Sequence, residues 1–488
     1  MRWSLREIAA ATSGSLSAVP SAGAGSDRAA TRLAGADPHR APTVTSVGID
    51  SRQLSPGALF VAIRSERDGH HYLGAAVEAV AVAVLVEHGR APRREIAAPL
   101  QGRQLEERPQ ELAVQAIEVP DTGAALLALG RAARGRLRGP VVGITGSVGK
   151  TSTKDLAAAA LAAGLLTTAS ARSFNNELGV PLTLANAPED AEVAVVEMGS
   201  RGPGHIRRLA EVARPDVGVV TAVAAAHTEM FGGLDEVAAA KGELVEALGP
   251  AGTAILNAGD TRVAAMASRA QGRVLRYSAG PHDGASLADV AAEGVRMDDQ
   301  LRPRFVARTP WGRVEVVLEA RGAHQVGNAL AALSVAAVCG VDLDAAAAAL
   351  AGAELSPGRM EIRRTSAGAT VIDDTYNANP SSAAAALHAL AALPGTRRIA
   401  VLGEMAELGR RSGQEHLGVA ALAAGLGIRV IAVDTPAYGL APADGIDGAM
   451  KALGSLGPGD AVLVKASRVA GLERLVTLLV RPAGQESR

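Results

Sequence analysis

The chain has 488 residues, which at ~100–200 residues per domain implies two to four domains. Hydrophobic residues make up 48% and charged residues 20%, a globular balance, while aromatics at 2% leave the cores to Ala, Val and Leu. The net charge of −1, without blocks of like charge, offers nothing to nucleic acid or to a membrane surface. A single cysteine excludes a disulfide framework within the chain.

Met1-Arg-Trp-Ser-Leu-Arg-Glu7 has no apolar core of signal-peptide length, and no unbroken apolar run reaches ~18 residues. The expectation is a cytoplasmic protein without membrane insertion. Cys339, in an apolar stretch, is expected to be a buried structural thiol. Residues 20–45 and 101–110 are polar or low in complexity and are expected to be loop insertions. Between them, Gly57–Ile63 and Ala81–Val86 have the pattern of buried strands, giving a small α/β domain over 1–137.

Ala124–Leu137 is helical in pattern and stops at Gly139-Pro140. The strand Val141–Thr145 follows, then a Gly-rich turn and a helix over Ser152–Leu166. Further buried strands are expected at Ala191–Val196, Val217–Thr221 and Thr253–Leu256, and helices at Val237–Leu248, Ala323–Val338 and Leu343–Leu350. This alternation predicts a mostly parallel, doubly wound sheet over 138–353. After the break at Pro357-Gly358, strands at Thr370–Asp373, Arg398–Leu402, Val430–Val433 and Ala461–Val464 predict a third α/β domain over 354–488.

The turn reads Thr145-Gly-Ser-Val-Gly-Lys-Thr151. Strand, glycine turn and helix in that order suit a nucleoside triphosphate. Backbone N–H groups of Gly146, Ser147, Val148 and Gly149 can close on phosphate oxygens, and the helix start adds its positive dipole end. Lys150 supplies a charge for the terminal phosphates, and Thr151 and Ser152 offer hydroxyls to magnesium. The standard Gly-x4-Gly-Lys spacing fails, because Ile144 stands six residues before Lys150.

Three more residues attract notice. Glu197 ends a strand, where carboxylates reach the ligand crevice of an α/β sheet. His227 follows the strand ending at Thr221. Lys241 sits on a helix, ordinarily the place of a solvated charge.

The short loop and these three residues resemble the Mur ligase superfamily. Its pattern extends to Phe174-Asn175-Asn176, Gly327-Asn328, Asp373-Asp374-Thr-Tyr-Asn377-Ala-Asn379-Pro380, Gly403-Glu-Met-Ala-Glu-Leu-Gly409 and Val464-Lys465-Ala-Ser467-Arg468. Ala466 stands where relatives have glycine. Asp50-Ser51-Arg52, with Gly57–Ala62, resembles that family's uridine-nucleotide turn.

The resemblance implies three domains. A P-loop-type central sheet would lie between a smaller N-terminal α/β domain and a C-terminal Rossmann-like one. It implies ATP with two magnesium ions. Lys150, Lys241 and His227 would serve catalysis; Thr151, Glu197, His227 and a carbamoylated Lys241 would hold metal. Asn328, Arg359 and Asp374 join the loop in binding nucleotide. Ser51, Arg52, Asn175, Asn176, Asn377, Asn379, Lys465 and Ser467 would bind substrate. Of the family's branches, the Tyr-Asn-Ala-Asn-Pro and Gly-Glu-Met-Ala-Glu-Leu-Gly motifs favour the one that joins D-alanyl-D-alanine to UDP-N-acetylmuramoyl-tripeptide, working as a monomer through an acyl phosphate. A different amine specificity within the superfamily, or ATP binding without turnover, are the rivals.

Overall fold

A computed structural model describes residues 1–18, 42–91, 114–224, 231–280 and 288–481. His227 and nearly all of the two expected insertions lie outside the described residues. Three α/β units follow one another, each around its own main sheet.

The first unit starts with helix α1 (Leu5–Thr12), whose N-cap Ser4 forms a capping box with Glu7. Its five strands are β1 (Ser15–Ala18), β2 (Ser46–Gly48), β3 (Ala58–Val61), β4 (Ala81–Glu87) and β5 (Gln115–Val119). Their order is β1-β5-β4-β3-β2, with only β1 antiparallel to its neighbour. Helix α2 (Thr122–Arg136) then leads into the second unit.

That unit carries β6 (Val141–Thr145), α3 (Lys150–Ala162), β7 (Thr167–Ala169), α4 (Gly179–Ala185), β8 (Val193–Glu197), α5 (His205–Ala213) and β9 (Val217–Val220). Next come α6 (Leu234–Glu246), β10 (Thr253–Asn257), β11 (Arg273–Ser278), β12 (Val290–Met297), β13 (Pro303–Thr309) and β14 (Gly312–Val317). Helices α7 (Gln325–Val338) and α8 (Leu343–Ala351) close it. The nine strands run β14-β13-β12-β11-β10-β9-β6-β8-β7. All pair in parallel except β12–β13 and β13–β14. The chain therefore winds outward from β6 in both directions. The carboxyl end of β6 is the switch point where α/β sheets open a ligand crevice. The strands β11 to β14 have no counterpart in the sequence reading: β12–β14 form meanders with one solvated face, and their mixed polarity hides them.

The third unit contains β15 (Glu361–Arg364), β16 (Thr370–Asp373), α9 (Pro380–Ala392), β17 (Arg397–Leu402), α10 (Ser412–Gly425), β18 (Arg429–Ala432), α11 (Gly445–Leu453), β19 (Asp460–Lys465) and α12 (Glu473–Leu479). The order is β15-β16-β19-β17-β18, antiparallel only at β15.

The two junctions differ. Leu126 and Leu129 of α2 share one core with Val180 and Leu184 of α4 and with Leu209 of α5, so the first two units are fused through apolar packing. Gly130 lets α2 approach so closely that a β-carbon there would stand 2.5 Å from the Pro181 side chain. The third unit keeps cores of its own, into which only Leu301 intrudes from the second. Its connector is tied by polar contacts instead: the Asp155 carboxylate accepts from Ser356 N–H at 2.8 Å and pairs with buried Lys154 at 2.6 Å. A polar seam beside a dry one leaves a cleft between units two and three. Cys339 is half-buried rather than fully buried, and its surroundings push the thiol up to about 11. No helix among the described residues is long and apolar enough to cross a membrane.

Candidate active site

The cleft has a volume of about 680 Å³, within the range of small-molecule sites. One wall is the loop after β6 with the start of α3. Gly146 has φ +150°, and a β-carbon there would meet Thr221 Oγ1 at 1.9 Å. Gly149 has φ +83° and caps α3, with Asn328 Oδ1 2.7 Å from where its β-carbon would be. Only glycine fits either place. The loop is fastened to the chain beyond β9: Ser147 N–H donates to Ala222 O at 2.7 Å, and Thr221 Oγ1 to Val148 O at 2.5 Å. The first-turn amides of α3 are left facing the cleft as an anion-binding helix terminus.

Lys150 Nζ curls back onto the Gly146 carbonyl at 2.7 Å. Protein packed around it lowers its pKa; Glu197 opposes that shift and Arg359 adds to it. Glu197 is buried at the end of β8. It accepts from Thr151 Oγ1 at 2.7 Å and from Asn175 Nδ2 at 2.8 Å. Lys241, from α6, lines the same cleft and is 3% exposed. Among the described residues no carboxylate pairs with it. Desolvation, and secondarily Lys150, bring its pKa down to about 7. An amine that is half neutral at physiological pH is poised for nucleophilic or carbamate chemistry.

On the α7 side, Asn328 accepts from Thr153 Oγ1 at 3.1 Å and donates to Gln325 Oε1 at 2.8 Å. The third unit supplies the facing wall. Lys465 Nζ, at the end of β19, reaches Asp374 at 2.5 Å and the Asn377 carbonyl at 2.8 Å. The Arg359 guanidinium lies 4.3 Å from the centre of the Tyr376 ring, and the Tyr376 hydroxyl touches Ser173 Oγ across the cleft.

Ser147 to Ser152, Glu197, Lys241, Asn328 and Arg359 all line one cavity. So do Asn175, Asn176, Asp374, Asn377, Asn379 and Lys465. Two of these also act as helix caps. Asn176 Oδ1 accepts from Leu178 and Gly179 at the start of α4, and Asn379 caps α9. Gly146 is not in the lining and works through its carbonyl. Ser467 does not line the cleft either: it is buried and its Oγ accepts from Ala406 N–H at 2.8 Å. Ser51 and Arg52 lie in the first unit, outside this lining. Asp50 caps their turn, and Arg52 pairs with it at 2.7 Å while 82% exposed.

Ser173, His324 and Gln325, absent from the sequence reading, also line the cleft, as do Tyr376 and Glu407 from within the recognised motifs. Gln325 Nε2 is buried without a hydrogen-bond partner, three residues before the recognised Asn328. The surroundings of His324 lower its pKa, with Asp374 opposing and Lys465 adding. Among the described residues no group of three or more His, Cys, Asp or Glu could hold a metal. The buried Thr151 hydroxyl and Glu197 carboxylate still form a hard-oxygen pair beside the phosphate loop. Magnesium, which takes one or two protein oxygens together with phosphate and water, suits that pair.

Comparison with known proteins agrees with this geometry. Residues 144–336 match the Mur ligase middle domain, 358–468 the Mur ligase glutamate ligase domain, and 43–134 the Mur ligase family catalytic domain. The Mycobacterium tuberculosis protein named UDP-N-acetylmuramoyl-tripeptide–D-alanyl-D-alanine ligase is 39% identical over 91% of this chain and 93% of its own. The Escherichia coli protein of that name is 35% identical over 90% and 94%. A crystal structure of MurF from Acinetobacter baumannii superposes with a TM-score of 0.79, at 27% identity over 98% and 99% of the chains. MurF ligase from Thermotoga maritima in complex with ADP gives 0.73, at 26% identity over 89% and 97%. The chain belongs to the Mur ligase family and is an ATP-dependent ligase.

Proposed function

We propose that the protein joins D-alanyl-D-alanine to UDP-N-acetylmuramoyl-tripeptide in cytoplasmic peptidoglycan precursor synthesis. The observation that carries this is the single cleft in which the phosphate loop, Glu197 and Lys241 face Asp374, Asn377 and Lys465 of the third unit. The near full-length similarity to ligases named for that reaction supports the choice of substrates. The division of labour would follow 1–137 for the UDP substrate, with Ser51 and Arg52, then 138–353 for ATP and 354–488 for the incoming amine. One chain supplies the proposed groups, as a monomer requires.

The first step transfers the γ-phosphoryl group of ATP to the terminal carboxylate of the tripeptide. Lys150 and the amides at the start of α3 stabilise the charge on that group. Thr151 and Glu197, together with His227, would hold magnesium, which would supply further cancellation of charge. Lys241 is proposed to be carbamoylated, its depressed pKa providing the neutral amine that carbon dioxide requires. Asn328, Arg359 and Asp374 position the nucleotide, and Asn175 and Asn176 the acyl donor. In the second step the dipeptide nitrogen attacks the acyl carbon and phosphate leaves. Closure of the third unit over the cleft would keep water from the acyl phosphate.

The test is phosphate release from ATP with UDP-N-acetylmuramoyl-tripeptide and a panel of amines. Turnover with D-alanyl-D-alanine but not with glutamate or diaminopimelate is expected. Turnover with another amine alone would overturn the substrate assignment, and ATP binding without any turnover would overturn the reaction.

A further inference from the structure

A second cavity lies behind the wall that the third unit gives to the cleft. Its volume is about 330 Å³, and every residue lining it comes from that unit. Tyr376 and Gly358 line both cavities and form the partition between them. Tyr376 N–H donates to the Gly358 carbonyl at 3.2 Å, which ties the partition together.

The charged groups of this cavity are unequal. Asp373 accepts from the Thr375 hydroxyl at 2.7 Å and lies 3.8 Å from Arg363. Arg363 is also paired with Glu361 at 2.6 Å. Arg468, just beyond β19, is exposed, and among the described residues no carboxylate pairs with it, Glu473 of the same lining included. Its one recorded contact is with the partition: the guanidinium lies 5.5 Å from the centre of the Tyr376 ring. Arg359, which lines the cleft, lies 4.3 Å from the same centre. One guanidinium therefore serves each side of Tyr376. Pro357, Val476 and Val480 add apolar surface on the Arg468 side.

We propose that Arg468 receives the terminal carboxylate of the incoming dipeptide, and that this cavity seats the dipeptide's C-terminal half. On the ligase reading above the third unit takes the amine, and the assignment rests on that reading. D-Alanyl-D-alanine carries one anion, one ammonium and two methyl groups. A guanidinium grips a carboxylate through two parallel N–H bonds, and Arg468 gives up no existing ion pair to do so. Pro357, Val476 and Val480 offer the terminal methyl an apolar surface. Two extended residues span ~7 Å, which suits a carboxylate on one side of the Tyr376 ring and a nitrogen on the other. The nitrogen then enters the cleft beside Arg359, where the acyl phosphate forms. Tyr376 is a positioning residue that holds Arg468 through its ring. The cavity reads the free carboxylate, so it selects an amine by its far end.

The test compares D-alanyl-D-alanine with its C-terminal amide in the full-length protein, followed by phosphate release. Wild type is expected to use the dipeptide at least tenfold better in kcat/KM. Arg468→Gln is expected to lower kcat/KM at least tenfold for the dipeptide, mainly through KM, and less than twofold for the amide. Arg468→Lys keeps a charge and is expected to recover part of the preference. KM for ATP and for the UDP-tripeptide should stay within twofold of wild type in both variants. The Arg468 side chain makes no hydrogen bond among the described residues, so the fold does not depend on it. A Gln variant that keeps the preference overturns the proposal, as does one that loses dipeptide and amide alike, or a wild type that does not distinguish them. Wild-type protein that ligates a different amine sinks the dipeptide assignment instead; the acid and amide of that amine are then compared and decide Arg468 by the same criteria.

Discussion

Gly149→Ala tests whether the phosphate loop and α7 are mechanically coupled through Asn328. The left-handed φ of +83° costs an alanine ~1–2 kcal/mol. The new β-carbon would also stand 2.7 Å from Asn328 Oδ1, closer than real contacts allow, so the amide must move. Moving it breaks the bonds from Thr153 and to Gln325, at ~1 kcal/mol each. The sum is ~3–4 kcal/mol, over a hundredfold in an equilibrium constant. With three cores, unfolding need not be a single step, so the readout is the transition that ATP shifts, together with the ATP Kd by titration calorimetry. In an Asn328→Ala background the clash is gone, and Gly149→Ala should cost only the ~1–2 kcal/mol of backbone strain. A coupling of ~2 kcal/mol is therefore expected in the double-mutant cycle, and effects additive within ~0.5 kcal/mol would refute the reasoning.

Lys241 should become increasingly reactive toward carbon dioxide as pH rises through about 7, where its ammonium gives up its proton; a 13C carbamate resonance should grow over that window. Lys150→Ala removes a like charge, should raise the Lys241 pKa, and should weaken that resonance at pH 7. Lys241→Ala should abolish ligation, and short carboxylic acids should restore part of it in a phosphate-release assay; full activity would eliminate the carbamate role. Asp155→Ala leaves buried Lys154 without its ion pair and Ser356 N–H without its acceptor, so a loss of ~3 kcal/mol in denaturant titration is expected. Lys154→Met in the same chain should recover much of it. Tyr376→Phe removes the hydroxyl that touches Ser173 and should lower turnover while leaving the ATP Kd unchanged.

Short-range chemistry made much of this protein legible in its sequence. Val141–Thr145, Gly146, Gly149 and Lys150 announce a strand, turn and helix because only glycine can take the backbone positions there. Buried parallel strands such as Val193–Glu197 stand out as apolar runs since both faces are covered. The antiparallel strands over 290–317 did not stand out, because one solvated face gives them a mixed composition.

The sequence by itself determined the phosphate loop, the family resemblance and the identity of many of the polar residues lining the cleft. Tertiary structure alone decided what surrounds them. Lys241 reads as an ordinary helical lysine until packing removes its water and sets it near Lys150. Ser467 reads as a substrate ligand until it is found buried as a brace for the 403–409 loop. Glu407 reads as part of a recognised motif, but its left-handed backbone at the cleft is visible only in the fold. Desolvation, strain and cross-chain hydrogen bonds belong to neighbours remote in sequence, so no local pattern of residues encodes them.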